Sequence, residues 1–97
     1  FVDIEPTLKD VSEKYFLKQK LSPNKKFIVQ DASQYLKNTS EQYDIILLDV
    51  YSNSFQIPEG LITAEFMNRI KSRVAPNGVV LMNMIFSPSF SNPYTRV

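Results

Sequence analysis

Ile45 to Leu48 is a run of four apolar residues that stops abruptly at Asp49. A strand with one wet face alternates apolar and polar side chains, and this run does not. It suits a strand covered on both faces, as in a parallel α/β sheet. An acid directly after such a strand sits at the strand's carboxyl end, the edge where open α/β sheets bind ligands. Taken alone, Asp49 is equally well read as a residue that begins a turn.

The rest of the chain repeats the pattern. Phe1 to Ile4 reads as a strand running into Glu5 and Pro6. Pro6 or Thr7 opens a helix, since Pro is accepted in a first helical turn. Leu8, Val11, Tyr15 and Phe16 recur at helical spacing, while Lys9, Asp10, Glu13, Lys14 and Lys18 fill the opposite face. Leu21 to Asn24 is a loop, and Phe27 to Val29 is a second strand ending at Gln30-Asp31-Ala32. A short helix over about Ser33 to Lys37 follows, with Tyr35 and Leu36 as its packing residues. The polar loop Asn38 to Gln42 leads into the third strand, Asp44 to Asp49.

Tyr51 to Gly60 is a loop rich in Ser, Asn, Pro and Gly, suited to covering a site. Thr63 is a good N-cap, with Glu65 in the first turn complementing the helix dipole. Ile62 and Met67 can staple that end. Phe66, Met67, Ile70 and Val74 make the apolar stripe. Pro76-Asn77-Gly78 reads as a tight turn, Val79 to Met82 as a fourth strand running on toward Asn83 and Ile85, and Phe86 to Val97 as irregular. The β-α-β-α-β-α-β order predicts one α/β domain over residues 1–97. Its architecture would be Rossmann-like, with three αβα layers and a partial parallel sheet of about four strands.

Composition narrows the chemistry. The chain has 97 residues, 11 basic and 10 acidic, so its net charge of +1 gives no sign of a nucleic-acid partner. Lysines crowd the first half (Lys9, Lys14, Lys18, Lys20, Lys25, Lys26), at spacings that suit solvated helix faces better than a phosphate site. The sequence has no cysteine and no histidine. That removes disulfides, Cys/His zinc sites and Ser-His-Asp or Cys-His catalysis together, leaving carboxylates, Lys or Tyr for proton transfer. No apolar run reaches membrane-spanning length, and the expectation is a cytoplasmic protein without membrane contact. Phe1-Val2-Asp3 opens inside a strand and Thr95-Arg96-Val97 follows no closing element, so the chain reads as a piece of a longer protein.

Asp3 with Glu5, Asp31 and Asp49 all lie at strand ends, which a parallel sheet brings to one edge. Each alone is an ordinary cap or turn residue. As a row, they repel one another unless a ligand or cation uses them. One carboxylate can hold two vicinal ribose hydroxyls, another can accept from an adenine amino group, and a third can take a proton from an amine. No glycine-rich turn accompanies them, because the only glycines are Gly60 and Gly78.

These residues resemble a family. Phe-Val-Asp-Ile-Glu-Pro (1–6), Gln-Asp-Ala (30–32), Tyr-Asp-Ile-Ile-Leu-Leu-Asp-Val-Tyr-Ser (43–52), Pro-Glu-Gly-Leu-Ile-Thr-Ala-Glu-Phe (58–66) and Pro-Asn-Gly-Val-Val (76–80) are similar to the spermidine/spermine synthases. The resemblance implies the class I S-adenosylmethionine-dependent methyltransferase fold. It implies decarboxylated S-adenosylmethionine, or S-adenosylmethionine, as a co-substrate that is not tightly bound, and a small-molecule amine as acceptor. Asp3 would hold the ribose hydroxyls, Asp31 and Ala32 would meet the adenine, and Asp49 would help deprotonate the attacking amine. Tyr51 and Ser52 would lie on the acceptor side. Family members that make spermidine usually carry Asp-Ser-Ser-Asp where this chain has Asp49-Val50-Tyr51-Ser52, so Ser52 stands in place of the second acid and the acceptor is left open.

The N-terminal β-hairpin domain, the glycine-rich loop and a substrate-site tyrosine of the family are absent from these residues, so the 97 residues alone are expected to be inactive. The family fold sets a further strand between the first and third strands here. That gap could close by direct pairing of those two strands, or by strand exchange in a homodimer. Two other readings stay open: a small-molecule methyltransferase using the same Asp3 and Asp31, and a non-catalytic interaction module of the same fold.

Overall fold

The computed structural model describes residues 1–49 and 63–83. The chain divides into two compact units, Phe1–Asn38 and Thr39–Val97. It is mixed α/β with parallel strands, as the alternating pattern predicts. Four strands among the described residues form two ladders of two.

In the first unit, β1 (Val2–Asp3) pairs in parallel with β2 (Ile28–Val29), with Val2 opposite Ile28 and Asp3 opposite Val29. Helix α1 (Leu8–Val11) connects them and continues as a π-helical turn, Ser12–Leu17, which ends at Lys18 in the left-handed region (φ 57°). After β2 comes α2 (Ala32–Asn38), whose Leu36 is buried as expected, with Tyr35 half-buried.

The apolar stripe expected on α1 is not buried. Leu8, Val11 and Tyr15 are exposed, and Phe16 is 79% exposed. The π turn breaks the 3.6-residue spacing on which the stripe depends, and two-residue strands offer little sheet to cover. The buried residue of this helix is Glu13, 6% exposed. Its Oε2 accepts from the Leu21 N–H at 3.1 Å, tying the returning loop to the helix. Lys9 and Lys20 stand 3.6 and 3.9 Å from its two oxygens.

In the second unit, β3 (Tyr43–Leu48) and β4 (Val74–Met82) pair in parallel, and α3 (Ala64–Ser72) is the helix between them. Thr63 caps α3 as predicted: its backbone is extended and its hydroxyl accepts from the Phe66 N–H at 3.1 Å. Glu65 pairs with Arg69 one turn on. Ile62, the other half of the expected staple, lies outside the described residues. Phe66 (1% exposed) and Ile70 (2%) sit one turn apart and form the core of this unit with Leu48. Met67 is half-buried, and Val74 already belongs to β4.

Two expectations for this unit change. The run Ile45 to Leu48 is covered on one face only. Ile46 and Leu48 are half-buried and buried, but Ile45 and Leu47 are 66% and 67% exposed. A sheet face needs an apolar element to cover it, and among the described residues this unit has the single helix α3. The Pro76-Asn77-Gly78 turn lies inside β4, where it offsets the register. Tyr43 faces Val74 and Ile45 faces Val79, so β3 advances two residues while β4 advances five. Asn77 takes the left-handed conformation this requires (φ 65°). The strand then resumes in the same direction through Leu48 opposite Met82. Neither ladder pairs the first strand with the third; β1 pairs with β2, and β3 with β4.

Candidate functional site

Asp3 and Asp31, the two candidate aspartates of the first unit, lie at the carboxyl end of one parallel ladder. Asp3 ends β1, and its Oδ1 accepts the Glu5 N–H at 2.8 Å, a local turn that starts the path to α1. Its Oδ2 has no donor among the described residues. Glu5 in turn takes the Thr7 hydroxyl at 2.6 Å and the Thr7 N–H at 3.0 Å on one oxygen. The Thr7 hydroxyl, and then its backbone N–H, hold the Glu5 carboxyl below the ordinary carboxylate range by favouring the ionised form.

Asp31 follows β2 by two residues and caps α2. Its Oδ1 accepts the Gln34 N–H at 3.0 Å, and its carbonyl accepts the Tyr35 N–H at 2.9 Å. Ala32 is the first residue of that helix. Asp31 is exposed, and its second carboxylate oxygen takes no donor within the unit. Each of these two aspartates therefore serves the fold with one oxygen and leaves the other without a donor among the described residues. A hydroxyl or amino donor suits such an oxygen.

Asp49 lies just past the end of β3 and is exposed. Beside it, just past β4, stands Asn83. The Asn83 N–H donates to the Leu48 carbonyl at 2.9 Å, extending the ladder. Its side-chain Nδ2 donates to Asp49 Oδ1 at 2.9 Å. Sequence reading singled out Asp49 and missed Asn83. The signal was available: Val79 to Met82 is an apolar run ended by a polar residue, as Ile45 to Leu48 is, and parallel strands in register bring two such ends side by side. Tyr51 and Ser52 lie outside the described residues.

A groove lies elsewhere, along the end of α1 and the π-helical turn that follows it. It has a volume of about 700 Å³ and is lined by Asp10, Glu13, Lys14, Lys18, Gln19 and Lys20. No helix among the described residues is long and apolar enough to cross a membrane.

Residues 1–92 match the spermine/spermidine synthase domain. The chain belongs to that family. Among curated proteins, this synthase-family chain is 35% identical over 85 residues to the polyamine aminopropyltransferase of Vibrio vulnificus, covering 84% of this chain and 28% of that protein. It is 31% identical over 93 residues to the polyamine aminopropyltransferase of Thermoplasma acidophilum, covering 92% of the chain and 33% of the relative. It is 30% identical over 95 residues to that of Sulfurisphaera tokodaii, covering 93% and 31%. The chain thus spans about a third or less of the length of these relatives. No solved structure matches it.

Proposed function

We propose that this chain is part of an aminopropyltransferase that moves the aminopropyl group of decarboxylated S-adenosylmethionine to a small-molecule amine. The observation that carries the reading is the carboxylate of Asp49, exposed at a strand end and held through one oxygen by Asn83. Its other oxygen is left for a donor. The polyamine aminopropyltransferases it is similar to supply the reaction class.

The nucleophile must be a neutral amine, whereas an aliphatic amine in water is mostly protonated. In this reading Asp49 accepts a hydrogen bond from the ammonium and takes its proton as the nitrogen attacks the carbon next to the sulfonium. The C–N bond forms and the C–S bond breaks. The electron pair of that bond stays on sulfur, and methylthioadenosine leaves. The free oxygens of Asp3 and Asp31 accept from the ribose hydroxyls and the adenine amino group, with the Ala32 backbone beside the base. Tyr51 and Ser52 border the acceptor. Ser52 replaces a second acid there, so an acceptor with a distal ammonium loses one partner. The 97 residues alone are inactive in this reading, because they include no glycine-rich turn to carry the other side of the nucleoside.

The test is an assay of the full-length protein with decarboxylated S-adenosylmethionine and a panel of mono- and diamines, read as methylthioadenosine release. Asp49→Asn is expected to lower kcat by roughly 10²- to 10⁴-fold, the usual contribution of a positioned base. Asp3→Ala is expected to abolish calorimetric binding of the nucleoside. Methylated amine formed from S-adenosylmethionine, with no methylthioadenosine released, would overturn aminopropyl transfer in favour of methyl transfer.

A further inference from the structure

We propose that Asn83 is a positioning residue for Asp49, an inference that rests on Asp49 being the base of the transfer reaction. Asn83 makes two bonds to successive residues at the end of β3. Its backbone N–H donates to the Leu48 carbonyl at 2.9 Å, and its side-chain amide donates to Asp49 Oδ1 at the same distance. The first bond fixes the Cα of Asn83 in the ladder register, where Leu48 already faces Met82. The second then has a fixed origin, so it sets the position and tilt of the carboxylate.

The need for such a partner follows from exposure. Asp49 stands past the end of its strand, at the solvent, where an aspartate side chain has rotational freedom to lose. A base must lie within hydrogen-bond reach of its proton, and misplacement by about 1 Å can cost on the order of 10²-fold in rate. The residue type also matters. The Asn83 amide donates a hydrogen bond to the carboxylate and carries no charge. Lys or Arg at position 83 would hold the carboxylate equally well but would compete with an incoming ammonium for it. Asn83 orients Asp49 and leaves its negative charge for the amine.

The experiment uses the full-length protein with Asn83→Ala, Asn83→Gln and Asn83→Asp, in wild-type and Asp49→Asn backgrounds. Asn83→Ala is expected to lower kcat by roughly 10- to 100-fold with KM for decarboxylated S-adenosylmethionine unchanged. Asn83→Asp, the same shape without the donor, should lose at least as much. Asn83→Gln should recover part of the rate. In the Asp49→Asn background, Asn83→Ala should cost nothing further, because its effect passes through the carboxylate. Equal losses in both backgrounds, or an unchanged kcat, would overturn the proposal.

A second readout separates this inference from the reaction on which it rests. The side-chain amide proton resonances of Asn83 should shift in Asp49→Ala. If they do not move, the pairing is absent whatever the activity. If they move but the wild-type protein releases no methylthioadenosine, aminopropyl transfer is refuted and so is the positioning role in it, while the pairing stands.

Discussion

At the residue scale the acids each do two things, and sequence alone offers these as alternatives. Asp31 reads as either a helix cap or an adenine ligand. The structure shows the cap, made with Oδ1 on the Gln34 N–H, and leaves the other oxygen open to a ligand. Asp3 is similar, with Oδ1 on the Glu5 N–H. The sequence made these acids legible as strand ends but could not divide their oxygens, because that division depends on side-chain angles. Glu5 gives a direct check on the local geometry. Its carboxyl is held low first by the Thr7 hydroxyl and then by the Thr7 N–H. A carboxyl whose folded value is depressed adds stability above its unfolded value, about 4.3, and that contribution is lost as pH falls through the lower folded value. Thr7→Val removes the hydroxyl and keeps the N–H, so the Glu5 titration midpoint should move up toward the ordinary value, followed by carboxyl ¹³C shifts. A midpoint that stays where it was would mean that the hydroxyl does not hold this carboxylate in solution.

At the element scale, capping chemistry was legible and packing was not. Thr63 marks the start of α3 because an N-cap is a local device of a few residues, and the structure places it as read. The α1 stripe failed because a π turn after Val11 is a departure in hydrogen bonding that the apolar spacing does not announce. The Pro76-Asn77-Gly78 turn was legible in kind and misplaced in role. Its chemistry is that of a turn, but the chain emerges parallel to its entry and rejoins the same ladder. Gly78 is what permits this. A Cβ there would lie 2.6 Å from Val74 Cγ1, 2.9 Å from the Ala75 carbonyl oxygen and 3.0 Å from the Asp44 carbonyl oxygen. Val74 can rotate, but the two carbonyls are backbone, one of them on the partner strand. Gly78→Ala should therefore push β3 and β4 apart at the offset and destabilise the protein by about 1–3 kcal/mol, the usual cost of forcing atoms into a packed site. Urea denaturation measures this. A neutral result would mean that the strands separate there at no cost.

At the scale of the whole molecule, the decisive feature is the second face of the β3–β4 ladder. The register sets Ile45 beside Val79 and Leu47 beside Leu81. All four are more than half exposed, on the face opposite Leu48. The unbroken apolar run announced a strand with apolar side chains on both faces, and the structure covers one of them. It could not announce what covers the second face, since periodicity reports the need for a cover and not its source. Parallel strands carry branched aliphatic side chains on both faces because both are normally packed, and a contiguous exposed patch of this kind promotes association. The 97-residue chain by itself should therefore bind the dye ANS and show a concentration-dependent sedimentation coefficient. Replacing Ile45, Leu47, Val79 and Leu81 together by Thr keeps β-branching at positions 45 and 79 and introduces it at 47 and 81, which suits a strand, while making this face polar. ANS fluorescence should then fall several-fold and the concentration dependence disappear, with far-UV circular dichroism unchanged because Phe66, Ile70 and Leu48 are untouched. The same four substitutions in the full-length protein give the complementary reading. If another segment covers the face there, ANS binding is low to begin with and the substitutions destabilise, by about 1–3 kcal/mol for each buried apolar side chain made polar. If the face is wet in the full-length protein as well, its ANS signal will match that of the short chain and its stability will hardly change.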